Sequence, residues 1–177
     1  AKKKAIIHYT KAYDYGIRFM KEKGISASQL NDREAKSKLP KILDDKLDED
    51  DMIATFYFAQ AWGGLINLQR TNVALLSKLP TIKVLMDWVC GKDANFEFGS
   101  CKLFYAVYEA GRPAMLGGNL QKGKKLFLEF INSAPLNLLA RVSFIQYYII
   151  PTMDEVLYAE HAQFLKKELM LWEGTLN

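Results

Sequence analysis

Four groups of residues have side chains that could do chemistry. Gly118-x4-Gly123-Lys124 matches most of a phosphate-cradling loop. Such a loop needs a strand before it, a helix after it, and Ser or Thr at the next position to hold Mg²⁺. Lys125 stands there instead, and Met115-Leu116 reads as a turn after a helix, so both glycines are read as packing positions. The acids Asp44, Asp45, Asp48, Glu49, Asp50 and Asp51 could suggest calcium. An EF-hand loop needs acids at alternate positions, a glycine at the sixth and a glutamate at the twelfth, and this run has no glycine. Negative charge just ahead of a helix explains the run more simply. His8 and His161 lie far apart, without the H-E-x-x-H spacing, and general acid–base catalysis needs a positioned partner that the sequence does not show. No Ser or Cys carries a nucleophile signature. Cys90 and Cys101 are too few for a four-cysteine zinc site. An oxidising compartment would let them bridge. Helix spacing usually keeps adjacent side chains out of bonding range, so two packed thiols are expected. The expectation is a protein that is not an enzyme and uses no cofactor or metal.

The remaining candidates are for binding. Aromatic residues recur along the chain, and Trp62 and Phe104 are read as core. A buried tyrosine needs a partner for its hydroxyl, so Tyr15, Tyr105, Tyr108 and Tyr148 are assigned to a groove, with Arg18, Gln60, Asn67 and Arg141 as polar companions. Such an amphipathic trough would take a small molecule or a protein segment.

The elements that must position these residues read as helices throughout. Residues 56–68 hold no charge and are apolar all round a helical wheel, so that helix must be surrounded by others. Phe58, Trp62, Leu65 and Ile66 share one side; Gln60, Gly63, Gly64 and Asn67 share the other, where the two glycines imply a closely approaching partner backbone. Helices are predicted at 2–23, 50–69, 81–90, 97–110, 119–133, 137–150 and 153–173, punctuated by glycine and proline. Residues 27–39 are predicted polar, helix-compatible and poorly buried, broken at Pro40, with 41–47 a connector. No alternating run argues for a strand. At 177 residues the chain suits one domain or one compact repeat array. A net charge of +4 without a basic stripe argues against nucleic acid. No run reaches the length of a membrane span. The chain opens on Ala1, from which a removed leader or anchor is expected.

A pattern recurs at a period of about 41 residues. Residues 118–135 fit the second helix of a tetratricopeptide repeat, and Ile82, Met86, Val89 and Ala94 take the same places one period earlier. The expected fold is all-α, with tetratricopeptide-like hairpins stacked into a small right-handed solenoid and insertions between the helices of a hairpin. Four hairpins are expected within one domain, at about 1–47, 48–94, 95–135 and 136–177.

Ala61-Trp62-Gly63-Gly64, Leu79-Pro80 with Leu85-Met86-Asp87, and residues 113–119 (Pro-Ala-Met-Leu-Gly-Gly-Asn) with Lys122 resemble the T-component family of tripartite ATP-independent periplasmic (TRAP) transporters. Tyr147 to Pro151, ahead of the long last helix, adds to the likeness, which covers about residues 50–170. The resemblance implies a periplasmic, often lipid-anchored accessory protein that forms trimers and engages the substrate-binding P component; the reading adds a hydrophobic ligand bound or passed on. Membrane association would then be peripheral, through an anchor absent from this chain. The rival reading is a generic tetratricopeptide adaptor that captures a peptide in its groove.

Overall fold

The structure is a computed structural model that describes residues 1–31 and 35–175. It is all-α, with no strand among the described residues. The chain forms two compact units, Ala1–Ala94 and Asn95–Asn177.

The first unit contains α1 (Lys2–Glu22), α2 (Ala27–Asn31), α3 (Ala35–Lys46), α4 (Met52–Leu68), α5 (Val73–Leu76) and α6 (Leu79–Lys92). The acidic run starts α4. Asp48 accepts the Asp50 N–H at 3.0 Å, and Asp51 accepts the Asp48 N–H at 3.1 Å, so two orphan donors are satisfied reciprocally. Asp51 also pairs with Lys23 at 2.7 Å, fastening this turn to the end of α1. Along α4, Phe58 and Trp62 are almost fully buried, and α1 and α6 pack against it. Tyr13 sets its ring edge-on to Trp62 at 5.2 Å.

Two expectations are corrected here. The close approach of α1 to α4 is made by Gly16, where a Cβ would collide with the Phe58 ring, and by Gly64, where it would meet the Tyr9 ring at 2.6 Å. The partners are aromatic side chains rather than backbone, and Gly63 faces open space. Pro40 stands inside α3 instead of ending a helix. The leucines explain why the segment is held: Leu39 and Leu43, one turn apart, are buried, as are Leu30 and Leu47. Of the segment expected to be polar, 32–34 lies outside the described residues.

The second unit contains α7 (Phe96–Gly111), α8 (Leu120–Ser133), α9 (Leu138–Phe144), a π-helical turn (Ile145–Ile149), α10 (Ile150–Thr152) and α11 (Glu155–Thr175). Its core is Ala106, Phe127, Phe130, Ile131, Ala140, Phe144, Tyr148 and Ile149. Gly123 lets α8 lie close on α7, since a Cβ there would come within 2.6 Å of Ala110. Pro151 has no N–H to give, yet the helical run continues past it to Thr152, whose hydroxyl donates to the Tyr148 carbonyl. Met153 then takes a left-handed conformation, and Asp154 caps α11 by accepting the Leu157 N–H at 3.0 Å.

The start of α7 is not the regular helix expected. Glu97, Phe98 and Gly99 all have positive φ, a conformation that costs non-glycine residues about 1–2 kcal/mol each. Gly99 tucks under Phe130, while Phe98 is left 90% exposed. Cys101 therefore does not have the register that an unbroken helix would give it. Both cysteines are disulfide-bonded, which corrects the expectation of packed thiols.

Candidate functional site

The residues between α7 and α8 form a loop held by several side-chain and backbone hydrogen bonds. Arg112 ends α7, and all three of its guanidinium nitrogens are used. Nε donates to the Tyr108 carbonyl at 3.1 Å, Nη1 to the Leu116 carbonyl at 3.1 Å, and Nη2 to the Gly117 carbonyl at 2.9 Å. An arginine at a helix end commonly satisfies terminal carbonyls. This one also gathers carbonyls from the loop that follows. Its guanidinium lies 3.9 Å over the centre of the Tyr108 ring. Glu109 sits at the base, buried, 3.4 Å from Arg112 and 2.8 Å from Lys122 of α8. The Asn119 N–H donates to the Glu109 carbonyl at 2.9 Å.

The turn itself needs its glycines. Gly117 adopts φ +83°, and a Cβ on Gly118 would collide with the Arg112 carbonyl. This agrees with the packing reading of Gly118 and Gly123 over the phosphate-loop reading. The loop's products are Met115, 90% exposed, and Leu116, 43% exposed, on a short 3-10 turn (Ala114–Leu116).

The groove residues expected from sequence fall four in each unit. In the first, Tyr15 is 65% exposed with the Arg18 guanidinium 4.3 Å over its ring. Gln60 is exposed on α4, and Asn67, half-buried, accepts from Arg70 Nε at 2.9 Å. In the second, Tyr105 is half-buried and sets its ring edge-on to Phe104. Tyr108 is buried beneath Arg112, and Tyr148 is buried in the core, stacked on Phe144 at 5.2 Å. The rings of Tyr108 and Tyr148 are thus packing residues instead of an open lining. Arg141 is half-buried beside His161. The structure brings Tyr15 to Arg18. Within the second unit, Tyr148 and His161 both pack on Phe144, and Arg141 bonds His161.

Sequence reasoning missed Arg112, Glu109 and Met115 as a unit. The signal was present as a basic residue just past the helix end, three after a glutamate and ahead of Pro-x3-Gly-Gly. A shallow cleft of about 330 Å³ between α3 and α6 holds none of the expected residues. Its acids Asp44 and Asp87 face Lys92 and Lys83, respectively.

By its fold this is an all-α protein, and no helix among the described residues is long and apolar enough to cross a membrane. A family profile described as TAtT, TRAP transporter T-component, matches residues 1–169. The chain belongs to that family and is an accessory component of a TRAP transport system. No curated protein matches it.

Proposed function

We propose that this T component docks to the periplasmic substrate-binding P component of its transporter, and that the loop braced by Arg112 is the docking element. The observation that carries the reading is Met115, 90% exposed at the tip of a loop whose carbonyls are bonded by one arginine. A rigid apolar anchor loses little conformational entropy on binding. The family membership supplies the partner class and favours it over a free-standing peptide adaptor. The periplasm suits a chain whose cysteines are both disulfide-bonded, since such bonds persist in oxidising compartments. The reading includes tetratricopeptide-like hairpins, supported by the α7–α8 pair and its Gly123 contact. It also includes a homotrimer and a hydrophobic ligand held near the tyrosine-bearing helices, with Arg141 beside it.

The test is capture of a candidate P component by purified wild type and by Met115→Glu. Met115→Glu should bind at least tenfold more weakly while melting within about a degree of wild type, because an exposed side chain contributes little to stability. Undiminished capture by this variant removes the loop from the interface. Light scattering checks the trimer, and a monomer mass at tens of micromolar discards it.

A further inference from the structure

The +4 net charge of the chain is concentrated on one helix. α1 carries the cations Lys2, Lys3, Lys4, Lys11, Arg18 and Lys21 against the two acids Asp14 and Glu22, so the remainder of the chain is balanced. Both acids fall in its second half, and residues 2–11 hold four lysines and no acid. Lys4, Ile7, Lys11, Tyr15 and Arg18 follow one another at three- and four-residue steps, which puts them on one face, and all five are exposed. Ile7 is 55% exposed and Tyr15 65%. Lys2 and Lys3 stand exposed beside them. The other side of the helix is committed to the fold, with Gly16 and Met20 buried and the Tyr13 ring against Trp62 of α4.

The fold makes no use of these cations. Among the described residues, Lys2, Lys3, Lys4 and Lys11 enter no ion pair or hydrogen bond, whereas Lys23, just past the helix end, is paired with Asp51. Arg18 stacks on the exposed Tyr15 ring, 4.3 Å from its centre. Lysines at a helix start also oppose the macrodipole, and no acid stands in that first turn to offset them.

We propose that this face of α1 adsorbs to an anionic lipid surface, with its cations among the phosphates and with Ile7 and Tyr15 entering the headgroup layer. Charge complementarity selects the sign of the partner, and each basic side chain near such a surface is worth about a fivefold change in affinity. The form of the face selects lipid over a folded acidic protein. Flexible lysine stems free of partners reach upward to phosphates while the apolar side chains between them sink, and no pocket or fixed fork is required. A helix of 21 residues offers a straight contact of about 30 Å for this. The surface uses no residue of the Met115 loop and goes beyond docking to the P component.

The full chain is sedimented with vesicles of phosphatidylcholine, alone or with about one-third phosphatidylglycerol, at about 0.1 M and about 0.5 M salt. It should bind the anionic vesicles at low salt and leave them at high salt. Replacing Lys2, Lys3, Lys4 and Lys11 together by glutamine should weaken binding at least a hundredfold. The same charge change at the exposed Lys102, Lys125, Lys166 and Lys167 of the second unit should leave binding within about threefold, since charges away from the contact are screened. Ile7→Gln should lose roughly tenfold by removing an inserted side chain. All these positions are exposed, so each variant should melt within about two degrees of wild type. No binding to anionic vesicles, or equal binding to both lipids, overturns the proposal. Equal losses in the two four-lysine variants assign adsorption to net charge and overturn the α1 face. Poly-glutamate bound as tightly as the vesicles, with Ile7→Gln unchanged, gives the face to an acidic polypeptide and overturns the lipid.

Discussion

Replacing Arg112 by alanine tests whether the loop is held as the geometry implies. The side chain makes three hydrogen bonds to carbonyls and one ion pair. A hydrogen bond to a charged group contributes about 1.5–3 kcal/mol. The bonds to Leu116 and Gly117 lie at exposed positions, so water largely replaces them on truncation. The loss falls on the Tyr108 carbonyl and on Glu109, whose side chain is 12% exposed. Stranding a buried charge outright costs about 3–5 kcal/mol, but Glu109 keeps Lys122 at 2.8 Å. The net expectation is a loss of about 2–3 kcal/mol, or roughly 5–10 °C in melting temperature. The loop should loosen more than the unit. Hydrogen exchange should accelerate at the Gly117, Gly118 and Asn119 amides, which bond the Ala114, Pro113 and Glu109 carbonyls, respectively. Arg112→Lys should restore part of the stability, since a lysine reaches Glu109 as a point charge without the fork that gathers three carbonyls. Unchanged exchange at those amides in Arg112→Ala would refute the bracing argument, whatever the melting temperature.

Two further outcomes follow from the packing. Gly16→Ala should destabilise the first unit by about 1–3 kcal/mol because the new methyl meets the Phe58 ring. Gly63→Ala should stabilise it by about 0.5–1 kcal/mol because its methyl enters open space in a helix interior; chemical denaturation of both variants checks the opposite signs. His161 carries a pH dependence. Burial pushes its pKa below the usual 6.5, Arg141 of α9 pushes it further, and Glu160 on its own helix opposes both. As pH falls below about 6.5 the unfolded chain binds a proton that the folded chain refuses, so this group's contribution to stability declines on acidification and is flat above about pH 7. An NMR titration of His161 should give a midpoint below 6.5, and a midpoint above it would contradict the packing described.

How much of this was legible depended on how local each signal is. The all-helical architecture, the uncharged central helix and the acidic start of α4 could be read directly, because propensity, capping and periodicity act over a few neighbouring residues. The Gly118 and Gly123 positions were legible as packing sites for the same reason. Pro40 misled: a proline normally interrupts a helix. In α3, burial of Leu39 and Leu43 offsets that cost, and burial depends on α6, far along the chain.

By itself, the sequence determined the all-helical class, the positions of the long helices, and which family the chain belongs to. It could not decide which face of each helix is covered. Tyr108 and Tyr148 were assigned to a groove because their hydroxyls are polar, yet each ring's larger apolar area lies in the packed interior. Nor could it show that α1 would approach α4 through Gly16, or that one arginine would collect the carbonyls of the loop behind it. Those outcomes depend on contacts between residues distant in sequence or brought together by a turn. Their free energy arises only once the helices have packed, so only the tertiary structure decides them.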